Sequence, residues 1–317
     1  ADIASVETVR KELGLDQPLW KQYLGFFNDL SPISLHQNVR PEGYFFLDST
    51  KYAPYAEVVR SGAGVLVVKQ PYLRRSYQTQ KPVSDILAEA FPMTLLLAAT
   101  AILLASLLGI ALGILAALFR DSWVDRLALF FSVLGMSLPS FFAAILMAWV
   151  FAYLLADQTG LSMVGSLYEV DDMGEGEYLA LQNLILPAVT LGIRPLAIVV
   201  ELTRSSMLEV LSQDYIRTAF AKGLSKARVV AGHALRNALN PVLTAVSGWF
   251  ASLMAGAVFV EYVFDWKGLG VVIVDALEKY DFPVVMGSVL FISVILVIIN
   301  IVVDILYAWL DPRVRLQ

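Results

Sequence analysis

The chain contains no cysteine, and only two histidines among its 317 residues. The first absence excludes a disulfide framework, a thiolate zinc site and a cysteine nucleophile. The second, with His36 and His233 far apart in sequence, leaves no basis for a histidine-rich metal site. Charge is scarce too. Asp, Glu, Lys and Arg make up 16% of the residues and hydrophobic types 58%, with a mean hydropathy of +0.67. A soluble domain needs more polar surface than that, so this is the composition of a membrane protein. There is no Gly-x-x-x-x-Gly-Lys-Ser/Thr loop, so any ATP hydrolysis belongs to another chain. Internal repeats and low-complexity tracts are also missing.

What is present is a series of long uncharged runs. Residues 90–119, 127–156, 237–260 and 282–303 hold no Asp, Glu, Lys or Arg. Each exceeds the roughly 20 residues that a helix needs to cross a bilayer. A fifth run, about 182–207, is interrupted by Arg194, Glu201 and Arg204. Its apolar content predicts a span that packs on protein along one side. Glu201 and Arg204, three residues apart, could pair. Arg194 and Glu201 are the candidates for lining a substrate pathway, and Arg194-Pro195 is a candidate irregular turn.

Lys and Arg in the short loops set the expected orientation. Residues 157–181 carry six acids, Asp157, Glu169, Asp171, Asp172, Glu175 and Glu177, with no Lys or Arg, and read as an outer loop. Residues 204–236 carry Arg204, Arg217, Lys222, Lys226, Arg228 and Arg236 and read as cytoplasmic, as do Arg120, Arg126, Arg313 and Arg315. Residues 1–83 then fall outside as an extracytoplasmic segment, and 84–317 form the transmembrane domain. Export of so long a polar segment leads us to expect a first span ahead of Ala1, giving six spans with both ends cytoplasmic. Within the outer segment, residues 4–30 read as an amphipathic helical region around Leu13, Leu15, Leu19 and Tyr23, and Val65–Val68 as a strand. Two uses fit it: a lid on the membrane domain, or a docking surface for an extracytoplasmic binding protein.

The most informative stretch is the cytoplasmic loop, Gln213-Asp214-Tyr215-Ile216-Arg217-Thr218-Ala219-Phe220-Ala221-Lys222-Gly223-Leu224-Ser225, continuing through His233 and Asn237 to Asn240-Pro241. Residues 208–222 favour helix, which Gly223 would end in the left-handed conformation. A second basic helix follows, with Pro241 expected at the start of the next span. The result is a short helix held under the membrane between two spans, a handle for a cytoplasmic partner. His233 has no acidic partner nearby in sequence and is not expected to act as a catalytic base. Glu261 and Asp265 read as solvated charges at the outer rim, and Asn300 and Asp304, one turn apart near the inner end of the last span, are expected to bond to neighbouring helices.

At this loop the chain resembles the permeases of the peptide/nickel ABC importers, the dipeptide and oligopeptide group. Ala219, Gly223, His233, Asn237 and Pro241 fit that family's version of the Glu-Ala-Ala coupling motif, with Arg217 and Thr218 replacing its Glu and first Ala. Four further segments are similar in order and spacing: Glu12-Leu13-Gly14-Leu15-Asp16-Gln17-Pro18-Leu19, Ser137-Leu138-Pro139-Ser140-Phe141, Asp265-Trp266-Lys267-Gly268-Leu269-Gly270 and Asp311-Pro312-Arg313. Residues 31–75 run longer than the family usually has there.

The resemblance implies an all-α transmembrane domain in a bacterial plasma membrane. It also implies a homologous second permease subunit, two ATP-binding cassette subunits that carry ATP and Mg, and an extracytoplasmic substrate-binding protein. The chain itself would bind no cofactor, metal or nucleic acid. Asp214, Tyr215, Arg217, Ala219, Gly223, His233, Asn237 and Pro241 would couple ATP hydrolysis to transport, most readily of di- and oligopeptides. Nickel or another small solute as cargo stays open. An ion-driven transporter should show inverted repeats, and a membrane enzyme a convergent polar constellation.

Overall fold

The structure, a computed structural model, describes residues 16–37, 44–52, 54–62, 64–170 and 176–310. Residues 4–15 of the expected amphipathic region, Asp171, Asp172 and Glu175 of the acidic loop, and the Asp311-Pro312-Arg313 segment with Arg315 lie outside these. The chain divides into two compact units. One takes in Ala1–Ile86 with Asp281–Gly287, and the other Leu87–Tyr280 with Ser288–Gln317.

In the first unit, α1 (Leu19–Leu30) begins directly after Pro18, whose fixed backbone suits a helix start. Strand β1 (Ile33–Gln37) follows, then a single turn, α2 (Ser49–Tyr52), and the hairpin β2 (Tyr55–Ser61) and β3 (Gly64–Lys69). The three strands form an antiparallel sheet in the order β1-β3-β2. The valine run read as a strand is β3; its partners β1 and β2 have weaker apolar patterns. Alternation puts Val65 and Val67 inside with Leu47 and Tyr52. Asp29 is buried beneath them and accepts from Tyr52 Oη at 2.6 Å, Lys51 Nζ at 3.1 Å and Arg74 Nε at 3.2 Å. A buried carboxylate persists because its oxygens are bonded and its charge is matched. Ser76 Oγ and the Tyr77 N–H, the latter at 3.0 Å, both donate to Asp281.

The second unit is helical. Helix α3 (Val83–Leu118) is one long apolar helix that includes Pro92. Then come α4 (Trp123–Ser137), α5 (Ser140–Met147) continued by a π-helical stretch to Leu154, and the single turn α6 (Ala156–Thr159). A two-stranded hairpin, β4 (Tyr168–Val170) and β5 (Glu177–Leu179), leads through a 3₁₀ turn into α7 (Ile185–Leu211). Beyond it lie α8 (Asp214–Ala221), α9 (Lys226–Val229), a π-helical turn Val230–Ala234 and α10 (Leu235–Gly256). The remaining helices are α11 (Val258–Phe264), α12 (Leu269–Glu278) and α13 (Phe282–Leu310).

Among the described residues, three helices are long and apolar enough to cross a membrane, and five spans result if each of two bent pairs counts as one. The run expected as a single span at 127–156 is one of the bent pairs: α4 and α5 meet at 112°. Pro139 is the reason, because the residue before a proline is driven out of the helical region, and Leu138 is extended at φ −76°, ψ 128°. The second bend, 58°, separates α10 from α11. Of the three single helices, the one through Arg194 is the most buried, with 61% of its apolar window inside the protein against 33% for α3 and 22% for α13. Pro195 lies inside an unbroken α7, so the irregular turn expected at Arg194-Pro195 does not form. The ring holds proline's φ at about −65°, a helical value, and the helix forgoes the backbone bond that the missing N–H would have made.

Small residues set how closely α3 and α7 approach. A Cβ on Gly109 would sit 2.7 Å from Val199, and one on Gly113 would sit 2.5 Å from Thr203. On α7, Gly192 faces the Ala101 carbonyl in the same way, at 3.0 Å. Gly109 and Gly113 are four apart and share one face, the spacing that lets membrane helices pack backbone to backbone.

Candidate functional site

The loop between α7 and α10 is built from local backbone chemistry. Helix α7 stops at Leu211, not at Gly223, so the single helix expected over 208–222 is divided. Ser212 turns the chain: its hydroxyl donates to the Glu209 carbonyl at 2.7 Å, and Gln213 leaves the helical region at ψ 149°. A new helix, α8, then starts at Asp214, an acid placed where the helix dipole favours it.

Gly223 ends α8 as its sequence position implied. Its φ is +81°, and the two bonds of a Schellman closure are in place, Leu224 N–H to the Ala219 carbonyl at 3.3 Å and Gly223 N–H to the Phe220 carbonyl at 2.9 Å. Leu224 and Ala219 join the same apolar cluster, the contact that usually accompanies this cap. Ile216 and Ala219 are the inner face of α8, buried against Ala117, Met207, Val229, Val230, Ala234 and Ala238. The other face is solvent-exposed and carries Asp214, Tyr215, Arg217, Phe220 and Lys222. Asp214 and Arg217 pair at 3.5 Å, too exposed to add much stability.

Several residues that the sequence grouped here do meet. Asn237 Nδ2 donates to Tyr215 Oη at 2.9 Å and to the His233 carbonyl at 3.1 Å. His233 thus serves through its backbone, within the π-helical turn, and its ring is exposed. Pro241 is not at the start of a helix: α10 begins at Leu235 and runs through it. The π-helical turn joins α9 to α10 without a break, which moves the helix start upstream.

Arg194 and Glu201 stand elsewhere, exposed on α7. Glu201 does not pair with Arg204. Arg204 instead grips Asp125 of α4 with two of its guanidinium nitrogens, Nη2 to Oδ2 at 2.7 Å and Nε to Oδ1. Asp125 also accepts from the Asp121 N–H at 2.9 Å, and its own N–H reaches Ser122 Oγ, so it caps α4 while holding α7. Sequence reasoning passed over Asp125. The available signal was an acid in the first turn after Ser122, beside a span whose last turns carry an arginine.

Glu261 is likewise not a solvated rim charge. It is fully buried on α11, its Oε2 accepts from the Gly270 N–H at 2.6 Å, and the Cβ positions of Gly268 and Gly270 are closed off by its carboxylate. Asp265 is the exposed member, in the left-handed region at φ 53°. Trp266 is buried beside it and donates from Nε1 to the Met93 carbonyl at 3.0 Å. Asn300 and Asp304 are both exposed on α13, and the bonds expected from them to neighbouring helices are not formed among the described residues.

The site is thus a short amphipathic helix displayed between two helices of a bent, close-packed bundle of apolar helices. Residues 109–316, more than half of the chain, match the family described as binding-protein-dependent transport system inner membrane component. The chain belongs to this family and is a multi-pass inner-membrane permease subunit of an ABC importer, not itself an enzyme. ATPase and substrate-binding partners are general to such importers.

Its relatives include the di/tripeptide transport system permease protein DppB of Pseudomonas aeruginosa strain UCBPP-PA14, 36% identical over 321 residues, covering 96% of this chain and 83% of that one. The dipeptide transport system permease protein DppB of Haemophilus influenzae is 44% identical over 257 residues, 76% of each chain. The glutathione transport system permease protein GsiC of Escherichia coli K12 is 36% identical over 315 residues, 99% of this chain and 86% of that one. The fold is similar to that of the MetNI methionine ABC transporter in an inward-facing form, with a TM-score of 0.57 at 14% identity over 72% of this chain and 97% of the other.

Proposed function

We propose that this permease imports short peptides, pairing with a homologous second permease, two ATP-binding cassette subunits that bind ATP and Mg, and an extracytoplasmic binding protein. The observation that carries the coupling part of this reading is the exposed face of α8. Tyr215 and Phe220 stand 43% and 44% exposed on a helix whose other side is anchored in the apolar cluster. Exposed aromatic side chains on a rigid support are the anchors that partner pockets take up. Gly223 fixes where the helix ends, and the Tyr215–Asn237 bond ties its motion to α10, so displacement of the handle is passed to the membrane helices as a rigid body. Peptides as cargo are supported by the di/tripeptide, dipeptide and glutathione permeases among the relatives. In this reading the C-terminus is cytoplasmic, on the side of α8.

The test is a mild-detergent pull-down of the tagged protein, followed by ATP-driven peptide uptake into vesicles holding the recovered complex. Recovery of a second permease and an ATPase, with uptake that needs both ATP and the binding protein, is expected. Recovery of this chain alone, without ATPase activity in several detergents, would overturn the reading.

A further inference from the structure

We infer that Arg194 and Glu201 receive the two ends of a short unblocked peptide in transit, the guanidinium taking the α-carboxylate and the Glu201 carboxylate the α-ammonium. This rests on the peptide-importer reading above and adds to it which chemical groups the path itself recognises.

The starting point is an unbalanced pair of charges. Helix α7 is more buried than the other two single helices long enough to cross a membrane, α3 and α13, yet Arg194 and Glu201 are both exposed. Neither has an ion pair or a side-chain hydrogen bond among the described residues. Two other charges in the membrane helices are matched: Arg204 by Asp125, and Glu261 by the Gly270 N–H, while Asp304 near the end of α13 is exposed as well. A charge left facing lipid costs several kcal/mol. Two opposite charges kept free on one helix therefore face water, and they are available to a passing ligand.

Their spacing suits the two ends of a peptide. Seven residues of helix turn through nearly two full turns, so the two side chains leave one face within about 20° of each other. The rise between them is about 10 Å. At about 3.3–3.6 Å per extended residue, the termini of a tripeptide are also about 10 Å apart. Both side chains are long and flexible enough to draw in for a dipeptide. A guanidinium offers a carboxylate a planar two-pronged site, and a carboxylate is the natural acceptor for an ammonium.

The helix packed along α7 adds an independent sign. On α10 the residues Asn237, Asn240, Thr244, Gly248 and Ser252 recur every three or four positions, and all are exposed. A helix side of four turns made of such polar and small residues is not a lipid-facing surface, and it offers hydrogen-bonding groups to water or to a ligand.

The experiment uses the complete complex in proteoliposomes, with binding protein preloaded to equal occupancy with labelled trialanine, its N-acetyl form or its C-terminal amide. ATP-driven uptake per bound peptide is measured for the native chain, Glu201→Gln and Arg194→Gln. The native complex should move free trialanine about tenfold faster than either blocked form, the size of one charge-assisted bond. Glu201→Gln should erase the penalty for N-acetylation alone, and Arg194→Gln the penalty for amidation alone.

Equal slowing of all three peptides by either variant overturns the inference, as does a native complex with no end preference. Loss of the second permease from a variant's pull-down also overturns it, by placing the two charges at a subunit interface. If the assembled native complex moves none of the three, peptide import itself is wrong and the inference falls with it. Intact uptake with the wrong selectivity pattern sinks the inference alone.

Discussion

Asn237 on α10 donates its side-chain amide to the hydroxyl of Tyr215 on α8 at 2.9 Å, joining a displayed helix to a membrane-crossing one across 22 positions of sequence. The same amide also donates to the His233 carbonyl one turn earlier, which holds the Asn237 side chain in place. Replacing Tyr215 with Phe keeps the ring and removes the joint. Insertion and recovery of partners should be unchanged, while peptide moved per ATP hydrolysed falls severalfold. Asn237→Ala should do the same, and the double variant should be no worse than either single one, because both remove one bond. Uptake and phosphate release measured in the same vesicles decide this.

Gly223 tests a second link in that handle. Space is not the constraint, since a Cβ there would meet nothing within 4 Å. The constraint is φ at +81°, which costs an L-residue about 1–2 kcal/mol and a β-branched one more. Gly223→Val should insert normally but hydrolyse ATP with little uptake, whereas Gly223→Asn should retain most coupling. Normal transport by the valine variant would mean that the end of α8 does not set its docking position.

The Asp125–Arg204 pair makes a stability prediction. Both members are largely buried, with side chains 3% and 19% exposed. Arg204→Leu leaves the Asp125 carboxylate without its main partner and should lower the stability of the permease by about 3–5 kcal/mol. Replacing both with apolar residues of similar size should recover much of the loss. Thermal unfolding in detergent, followed by tryptophan fluorescence, would report both. A single variant as stable as the native chain would show that solvent, not Arg204, satisfies Asp125.

In the outer unit, burial pulls Lys69 down from its ordinary 10.5 to about 8, Asp29 opposing the shift and Lys51 adding to it. A base whose folded pKa is depressed binds fewer protons folded than unfolded between the two values. Its contribution to stability is therefore least favourable below about pH 8 and improves as pH rises from there toward 10.5. Amide hydrogen exchange of β1–β3, corrected for the intrinsic rate, should show protection growing across that window. Lys69→Met should flatten the profile.

Much of this protein was legible in its sequence. Uncharged runs located the spans because the cost of a charge in lipid is a local property of each residue. Gly223 announced the end of α8 because left-handed backbone selects glycine almost regardless of surroundings. Glu201 and Arg204 show where such reading stops. Their spacing allowed a pair on one helix, but Arg204 turned to Asp125, 79 positions away, once α4 was packed on α7. Glu261 went from an apparent rim charge to a fully buried one for the same reason: the chain after Asp265 folds back and supplies a glycine N–H. The sequence by itself determined where helices are affordable, where proline and glycine break them, and which loop stands apart. The tertiary structure alone decided how the charges are matched, because a carboxylate takes whichever donor the packed helices bring within about 3 Å, and nothing local to it encodes that approach.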